Sequence, residues 1–333
     1  MTAIRTAEGH GHASILGVGG YRPARIVTNA EICEQIDSTD EWIRERSGIA
    51  ERRHAAPGET VVDMAVAAAE KALAASGITA DRLDAVVVGT VTHLYQTPAA
   101  ATLIAHRLGA TSAAAFDLSA ACAGFCHGLA VANDLVRGGS ARHVLVIGVE
   151  RLTDMIDPTD RGTAFIFGDG AGAAVVGPSA EPGIGPVVWG ADGGQAEAIT
   201  QNVSWDALRE DPGHAFPTLS MNGQQVFRWA VFAMAPVAQE ALDRAGVAAG
   251  DLAAFIPHQA NLRIVEAMAK KLSLPEHVVV ARDVVETGNT SAASIPLAME
   301  RMLGRGEIPS GGLALLIGFG AGLAYAAQVV RLP

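Results

Sequence analysis

Short apolar stretches alternate with longer helical stretches along this chain, and this alternation constrains the possible folds more than any other feature. In the first half, strands are predicted over residues 83–91 and 143–149, and helices over residues 60–76 and 125–136. The predicted strands are apolar at nearly every position, which is typical of strands covered on both faces. Strands and helices that alternate in this way predict an α/β protein.

The second half of the chain repeats this order of elements. A glycine-rich phrase also precedes a strand in each half, at residues 167–172 and at residues 318–322. We interpret both phrases as tight hairpins, because neither follows a strand and opens a helix as a nucleotide-binding loop requires. The repetition predicts a duplicated α/β unit. The predicted elements of the second half are strands at 252–257, 313–317 and 325–330 and helices at 224–245, 259–272 and 291–303.

The duplication suggests a division of the chain into segments. Residues 1–12 are polar, and we expect them to form a flexible N-terminal segment. Residues 13–180 are the predicted N-terminal half and residues 181–333 the predicted C-terminal half. The boundary is placed in residues 177–186, which are rich in Gly and Pro.

Composition excludes several classes of protein. The chain has 333 residues, half of them hydrophobic, and a formal net charge of −11, which disfavours a nucleic-acid partner. No apolar run approaches the roughly 18–20 residues of a membrane span, and residues 1–12 lack the apolar segment of a signal peptide. Three cysteines form no disulfide framework, which favours a cytoplasmic protein. No Cys/His cluster has the spacing of a metal site, so we expect no metal.

Cys122 is the first candidate for a catalytic residue. It follows an apolar strand-like stretch and precedes the predicted helix 125–136. A helix N-terminus at the sulfur favours thiolate over thiol, and the small neighbours Ala121, Ala123 and Gly124 leave room for a substrate. Cys122 is therefore a candidate nucleophile, and the alternative is a small buried core residue.

A nucleophilic cysteine needs partners, and the second half offers two. His258 lies where an apolar strand ends and a helix begins, and Asn289 lies just before another helix. An imidazole and an amide can both donate hydrogen bonds to negative charge that develops beside a sulfur. The alternatives are a capping or core histidine and an ordinary turn asparagine.

Three motifs around these residues resemble a known family. Ser119-Ala120-Ala121-Cys122, Pro257-His258-Gln259-Ala260-Asn261 and Gly288-Asn289-Thr290-Ser291 are similar to the active-site motifs of β-ketoacyl-acyl-carrier-protein synthase III. The stretches at residues 160–163 and 40–43 are similar to further signatures of that family, and the resemblance covers residues 14–330. It implies a homodimer with the thiolase fold, in which two similar α/β halves pack as five layers, αβαβα.

The resemblance also implies a reaction. Cys122 is implied to accept an acyl group from acyl-CoA, and malonyl-acyl carrier protein then loses carbon dioxide and attacks the thioester. The β-ketoacyl-acyl carrier protein that forms is implied to initiate type II fatty acid synthesis. His258 and Asn289 are implied to stabilise the enolate formed on decarboxylation. The backbone N–H of Cys122 and one from the turn at 319–322 are implied to hold the oxyanion of the acyl-transfer step. No cofactor is implied, since acyl-CoA is a substrate.

Further residues match binding positions of the family. Thr97 falls in the segment that closes the acyl pocket across the dimer, and this small residue implies branched or longer acyl primers than acetyl. At Gln224 the chain departs from the family by having a longer amide side chain than the usual asparagine. The implied CoA and pantetheine contacts are Trp42, Arg46, Arg161, Gly223, Gln224, Phe227 and Asn261, and the implied carrier-protein contacts are Arg228, Arg263, Lys270 and Lys271.

Simpler interpretations of these residues stay open. Trp42 could be a partly buried packing residue, and the basic residues could form an ordinary solvated helix face. A thiolase would need a second catalytic cysteine near the C-terminus, and no cysteine follows Cys126. An elongating synthase would have histidine in place of Asn289. A relative that primes a secondary-metabolite pathway is the main alternative, and a cysteine hydrolase or an acyl-binding protein is the alternative from another class. We expect Cys126 and Cys33 to be packing residues.

Overall fold

The computed structural model describes residues 4, 7–211 and 213–333. Part of the predicted flexible segment, residues 1–3, 5 and 6, lies outside the described residues. The first strand begins at His12, and the backbone N–H of His10 already donates to the carbonyl of Val136 at 3.4 Å.

Strands and helices alternate as the sequence pattern predicts. In chain order the strands are β1 (His12–Tyr21), β2 (Arg25–Thr28), β3 (Glu51–His54), β4 (Ala85–Gly89), β5 (Ala114–Leu118), β6 (Val144–Arg151), β7 (Asp169–Ser179), β8 (Val188–Ala191), β9 (Ile199–Gln201), β10 (Leu219–Met221), β11 (Leu252–Pro257), β12 (Val279–Val280), β13 (Leu313–Gly320) and β14 (Ala324–Arg331). The α-helices are α1 (Asn29–Cys33), α2 (Asp40–Ser47), α3 (Val61–Ser76), α4 (Ala100–Leu108), α5 (Gly124–Arg137), α6 (Trp205–Glu210), α7 (Gly223–Phe232), α8 (Met234–Ala245), α9 (Leu262–Lys271), α10 (Val284–Thr287) and α11 (Ser294–Gly304).

Two sheets of the described chain have the same topology. Each has five strands, in the order β1-β7-β6-β4-β5 in one sheet and β8-β14-β13-β11-β12 in the other. The strands in matching places also pair in the same direction. β4 is parallel to β5 and β6, as β11 is to β12 and β13, whereas β7 and β14 are antiparallel to their neighbours. The predicted duplication is therefore confirmed.

Alternating side chains of the strands bury the sheets on both faces. In β4, Val86 and Val88 pack with α3 and α4, whereas Val87 faces the opposite way, toward α5 and α11. The core around α5 and α11 also contains side chains from β11, β13 and β14, so these two helices lie between the sheets. The helices α7, α8 and α9 cover the far face of the second sheet. The result is the five-layered αβαβα arrangement that the resemblance implies.

Two local predictions were wrong. The predicted helix 224–245 is two helices, because Pro236 in the first turn of α8 has no N–H to donate and its ring excludes a helical carbonyl four residues earlier. The phrase at 167–172 is not a hairpin, since its last residues belong to β7 and its first residues pair with Asn289. The phrase at 318–322 does lie in the tight connection between the antiparallel strands β13 and β14.

The central helices begin in equivalent ways. A short 3₁₀ turn, Ala121–Ala123, precedes α5, and the turn Ser291–Ala293 precedes α11. The first residue of each turn has a left-handed backbone, with φ of 44° at Ala121 and 48° at Ser291. The duplication thus brings both turns to the middle of the molecule, where the candidate site lies.

Candidate active site

A cavity of about 790 Å³ lies between the two halves. Cys122, His258 and Asn289 all line it, although they are far apart in the chain. They lie in the turn before α5, after the end of β11 and before the turn that leads to α11. The ends of equivalent elements of the two halves therefore bring the three predicted residues into one cavity.

Cys122 lies directly before the first turn of α5 and is partly accessible from the cavity. Gly320 of β13 lies against it: a Cβ atom at Gly320 would be 2.8 Å from Cβ and 2.9 Å from Sγ of Cys122. Only glycine fits this approach, because real Cβ contacts are not this short. The tight connection at 318–322 is therefore part of the site.

The ionisation of Cys122 differs from the expectation. Burial raises the pKa of the Cys122 thiol to about 12, and the negative charge of Glu150 contributes to this rise. Loss of solvent thus outweighs the favourable position at the helix N-terminus. The resting site therefore holds a thiol, and Cys122 must lose its proton as it reacts.

His258 is held as a neutral hydrogen-bond donor. Its Nδ1 lies 2.8 Å from Oγ of Ser294, and that oxygen also accepts the N–H of Gln259 at 3.2 Å. Of the two groups that contact Oγ, only Nδ1 can accept a hydrogen, so we infer that the hydroxyl donates to Nδ1 and that the imidazole hydrogen is on Nε2. Burial lowers the pKa of His258 to about 3, which keeps the ring uncharged at neutral pH. The Phe319 ring packs edge-on against the imidazole, with centroids 5.3 Å apart.

Asn289 has its amide oriented by the backbone. Its Oδ1 accepts the N–H of Ser291 at 2.8 Å. A backbone N–H can only donate, so the oxygen must face Ser291 and the amide NH₂ is left to donate toward the cavity. Backbone bonds on either side, to Ile166 at 2.9 Å and from Gly168 at 3.0 Å, hold the residue in place. His258 and Asn289 thus provide two fixed, uncharged donors in the cavity that holds Cys122.

An aromatic ring with two guanidinium groups marks the outer end of the cavity. The Arg46 and Arg161 guanidinium carbons lie 5.7 Å and 4.7 Å from the centre of the Trp42 ring. Trp42 also packs edge-on against Phe165, with centroids 5.4 Å apart. Trp42 and Arg46 line the cavity wall, whereas Arg161 lies over the ring. Planar groups and phosphates are the ligands that such a surface suits.

The residues matched to pantetheine also line the cavity. Gly223, Gln224 and Phe227 come from α7, and Asn261 is the N-cap of α9. The Asn261 amide is already engaged, because its Nδ2 donates to the carbonyl of Arg46 at 3.1 Å and its Oδ1 accepts the N–H of Arg263 at 2.9 Å. Asn261 therefore links α2 to α9 at the cavity entrance.

The four predicted carrier-protein contacts are exposed but do not form one compact cluster. Arg228 and Arg263 line the cavity, and the guanidinium of Arg263 lies 5.5 Å from the centre of the Phe227 ring. Lys271 lies over the exposed Phe232 ring at 4.3 Å, and Lys270 lines a separate groove. The structure thus places two of the four residues at the entrance.

Thr97, the predicted acyl-pocket residue, lies on the surface of this single chain. Its side chain is exposed, and so are those of Leu94 and Tyr95 in the same segment.

The sequence analysis did not identify several residues that contact the three predicted catalytic residues. Ser294 fixes the His258 ring, and Phe319 packs on it. Ser291 contacts Cys122 and donates to the buried carboxylate of Glu150 at 3.2 Å. The position of Glu150 directly after the predicted apolar strand 143–149 was the one signal in the sequence that could have identified this residue.

Three further features of the described residues concern membrane-spanning helices, metal-ligand clusters and disulfide bonds. The described residues include no helix long and apolar enough to cross a membrane. They also include no group of three or more His, Cys, Asp or Glu side chains that could hold a metal ion. The three cysteines are free, and Cys126 is buried in the central core.

Comparison with known proteins places these features in a family. The family models for 3-oxoacyl-[acyl-carrier-protein] synthase III and for its C-terminal region match residues 116–193 and 242–332. The chain is 61% identical to β-ketoacyl-[acyl-carrier-protein] synthase III 1 of Streptomyces coelicolor, with all of both chains covered. It is 62% identical to the synthase III of Streptomyces glaucescens, again over all of both chains.

Solved structures agree with this placement. The priming β-ketosynthase of the R1128 polyketide biosynthetic pathway superposes with a TM-score of 0.97 at 54% identity, covering 100% of this chain and 99% of that one. The synthase III of Aquifex aeolicus superposes with a TM-score of 0.89 at 37% identity, covering 96% and 99%.

The duplicated five-layered fold and its central cavity define a condensing acyltransferase of the thiolase fold. Within that class, the chain belongs to the β-ketoacyl-acyl-carrier-protein synthase III family.

Proposed function

We propose that this enzyme condenses an acyl-CoA primer with malonyl-acyl carrier protein, releasing carbon dioxide and forming a β-ketoacyl-acyl carrier protein. The observation that carries the proposal is the pair of fixed neutral donors, His258 and Asn289, in the cavity that holds Cys122. Acyl transfer to a cysteine and decarboxylation of a thioester both create charge on a carbonyl oxygen, and such donors stabilise that charge.

In the first step Cys122 attacks the thioester of acyl-CoA. The nucleotide would lie against Trp42, Arg46 and Arg161, and the pantetheine along α7. The backbone N–H of Cys122 and one from the turn beside Gly320 would hold the oxyanion, since Gly320 lies against the sulfur. The cysteine then carries the acyl group as a thioester.

In the second step the malonyl thioester replaces CoA. Its carbonyl would accept from Nε2 of His258 and Nδ2 of Asn289. When the carboxylate leaves as carbon dioxide, the electrons move onto that oxygen, and the donors are already in place and uncharged. The carbanion carbon then attacks the acyl thioester on Cys122. This sequence uses the protein's own groups, and we propose that it needs no cofactor.

The acyl primer and the assembly belong to the same proposal. We propose a homodimer in which Thr97 of one subunit closes the acyl pocket of the other, and this is supported by its exposure in the single chain. A threonine leaves more space than a larger side chain, so isobutyryl-CoA and similar branched primers are the proposed substrates. Three free cysteines support a cytoplasmic enzyme.

Loss of the nucleophile tests the reaction. Cys122→Ser is expected to abolish the acyl adduct seen by mass spectrometry after incubation with isobutyryl-CoA. The variants His258→Ala and Asn289→Ala should form the adduct but release carbon dioxide from malonyl-acyl carrier protein roughly 10²–10³-fold more slowly. Cys126→Ser is the matched control, because Cys126 is a core residue. Adduct formation by Cys122→Ser at the wild-type rate would contradict the proposal.

A second candidate function is the same condensation reaction in polyketide synthesis instead of fatty acid synthesis. The similarity to the priming ketosynthase of a polyketide pathway favours priming of polyketide synthesis. Rates with carrier proteins of fatty acid and polyketide synthesis, measured side by side, distinguish the two.

A further inference from the structure

Glu150 is a buried carboxyl group to which the proposed reaction gives no role. It lies in β6 and is 0% exposed. Its Oε2 accepts from Oγ1 of Thr92 at 2.7 Å, the N–H of Val91 at 3.1 Å and Oγ1 of Thr90 at 3.2 Å, and its Oε1 accepts from Oγ of Ser291 at 3.2 Å. A carboxyl group with this many donors is prepared to carry a negative charge in the interior.

Ser291 connects this carboxyl group to the reacting sulfur. Cys122 and Ser291 line the same cavity and contact each other, and the hydroxyl of Ser291 donates to Glu150. A hydroxyl has one hydrogen, so it can donate to Glu150 while it accepts from the thiol. Ser291 thus lies between the thiol of Cys122 and the carboxylate of Glu150, where its hydroxyl can pass a proton from one to the other.

His258 is poorly suited to take the proton of Cys122. Its Nε2 already carries a hydrogen because Ser294 donates to Nδ1. A second proton would form an imidazolium in a buried site, where the pKa of the ring is lowered to about 3. The thiol proton therefore needs a different acceptor.

We propose that Glu150 accepts the proton of the Cys122 thiol, through the hydroxyl of Ser291, when Cys122 is acylated. This inference rests on the proposed function, because it supplies the first step of that reaction with its proton acceptor. Glu150 acts through Ser291 and does not touch the substrate.

The step balances as follows in atoms and charge. The S–H bond of Cys122 breaks, its proton goes to Oγ of Ser291, and the original Ser291 proton goes to Oε1 of Glu150. The sulfur electrons form the new S–C bond, the thioester C–S bond breaks, and the leaving CoA thiolate takes a proton from solvent. When condensation later breaks the bond between Cys122 and the acyl carbon, Glu150 returns its proton to the sulfur by the same path.

Charge favours this path over loss of the proton to solvent. A thiolate beside an ionised Glu150 would place two negative charges in the buried site, and the carboxylate already raises the pKa of Cys122. Transfer to Glu150 keeps a single negative charge. A protonated Glu150 also adds no repulsion when the enolate forms in the second step.

The ionisation of Glu150 is suited to this role. Burial raises its pKa to about 7, so it is ionised but basic just above neutral pH. Among the titratable or charged side chains near Glu150, Cys122 has its pKa raised by the Glu150 charge, Arg151 follows Glu150 in β6, and Asp169 pairs with Arg151 across β6 and β7. Arg151 forms its own ion pair, and Asp169 accepts hydrogen bonds from other residues.

The pH dependence of Cys122 alkylation by iodoacetamide tests the proposal without acyl-CoA or carrier protein. Peptide mapping by mass spectrometry follows Cys122 separately from Cys33 and Cys126. In the wild-type enzyme the rate is expected to rise with an apparent pKa near 7. Glu150→Gln should lose this rise and react about 10²-fold more slowly at pH 8.

A purely electrostatic role for Glu150 predicts the opposite sign. Removal of a negative charge beside the sulfur would lower the pKa of Cys122 and make alkylation faster. A faster rate in Glu150→Gln, or an unchanged pH profile, would overturn the proposal. Asp169→Asn is the matched control, since it removes another buried carboxyl group that makes no contact with Ser291.

Ser291→Ala provides a second test if Glu150→Gln does not fold. Alanine is tolerated at this backbone conformation, because Ala121 adopts nearly the same φ at the equivalent turn of the first half. This variant should also lose the rise near pH 7, and an unchanged profile would overturn the proposal. Carbon dioxide release from malonyl-acyl carrier protein is measured separately. A wild-type enzyme whose Cys122 alkylation rises near pH 7 but which releases no carbon dioxide would contradict the proposed function, and the proposed proton transfer to Glu150 would still stand.

Discussion

Ser294 decides what His258 can do, although it does not face the substrate. A histidine with a free Nδ1 can carry its hydrogen on either nitrogen, and only the Nε2–H form donates into the cavity. The hydroxyl of Ser294 selects that form at a distance of 2.8 Å. In the same way, the N–H of Ser291 selects the orientation of the Asn289 amide. The two donors are thus set by neighbours that precede or begin α11.

Substitution of Ser294 tests this selection. Ser294→Ala removes the bond to Nδ1, and a hydrogen bond of this kind contributes about 1 kcal/mol. Carbon dioxide release from malonyl-acyl carrier protein is expected to slow roughly 5- to 10-fold, while the rate of Cys122 acylation stays unchanged. An equal fall in both rates would point instead to general damage, and Ser76→Ala, a helix-end serine remote from the cavity, is the control.

Glu150 should make stability depend on pH. Its ordinary pKa is 4.5, and burial raises it to about 7 in the folded protein. Between these values the folded state binds more protons than the unfolded state. The stability linked to Glu150 is therefore complete below pH 4.5 and is lost as the pH rises through 7. The difference corresponds to about 3 kcal/mol.

Urea unfolding at two pH values measures this effect. The side chain of Glu150→Gln cannot ionise. The free energy of unfolding of this variant minus that of the wild type should therefore be about 3 kcal/mol larger at pH 8 than at pH 4.5. The exposed Glu210→Gln should keep a constant difference from wild type. A constant difference for Glu150→Gln as well would mean that the buried carboxyl group does not titrate in this range.

At the scale of elements, α7 and α9 form the entrance to the cavity. Both are amphipathic, and their apolar faces pack together on the second sheet while Arg228 and Arg263 stay exposed beside the opening. The chain as a whole is acidic, so these basic groups form a local exception rather than a general property. An acidic carrier protein would meet them as its prosthetic group enters.

Charge reversal at Arg263 tests this surface. Arg263→Glu is expected to raise KM for malonyl-acyl carrier protein about tenfold, which is 1.4 kcal/mol, with kcat unchanged. The effect should weaken as salt is added, because exposed charges are screened. Arg209→Glu on α6 is the control for a basic residue elsewhere on the surface. An unchanged KM for Arg263→Glu would reject a role for Arg263 in docking.

At the scale of the whole molecule, the first sheet ends in a strand with one unpaired edge. β5 pairs only with β4 among the described strands, and Phe116 on it is 38% exposed. Leu94 and Tyr95 in the segment of Thr97 are also exposed. An open strand edge beside exposed apolar side chains favours pairing with another chain. This surface supports the proposed homodimer.

A charge at this edge should separate the subunits. Phe116→Asp is expected to weaken the dimer by at least about 30-fold, since central apolar contacts commonly contribute 2 kcal/mol or more. Sedimentation equilibrium measures the change, and Phe232→Asp is the control at an exposed aromatic residue on α7. The monomer should also lose preference for branched primers, because Thr97 no longer closes the partner's pocket. A dimer of unchanged affinity would exclude the β5 edge as the interface.

Local sequence patterns and motifs were sufficient to predict most of the fold and to identify Cys122, His258 and Asn289. Apolar strands, helix periodicity and the repeated order of elements predict two equivalent α/β halves, because these features depend on neighbours in the chain. The break between α7 and α8 was equally local, and Pro236 could have predicted it. The first glycine-rich phrase was misread because its partner is Asn289, more than a hundred residues away.

The sequence by itself determined the fold class and brought Cys122, His258 and Asn289 to notice. Only the tertiary structure decided their chemical states: a thiol rather than a thiolate, a neutral imidazole with its hydrogen on Nε2, and an amide with its NH₂ toward the cavity. These states depend on burial and on contacts between residues that are far apart in the chain. His258 and Ser294 are separated by 36 positions, and Glu150 and Ser291 by 141 positions. Desolvation and hydrogen bonding act through space, so they become visible only when the two halves are packed together.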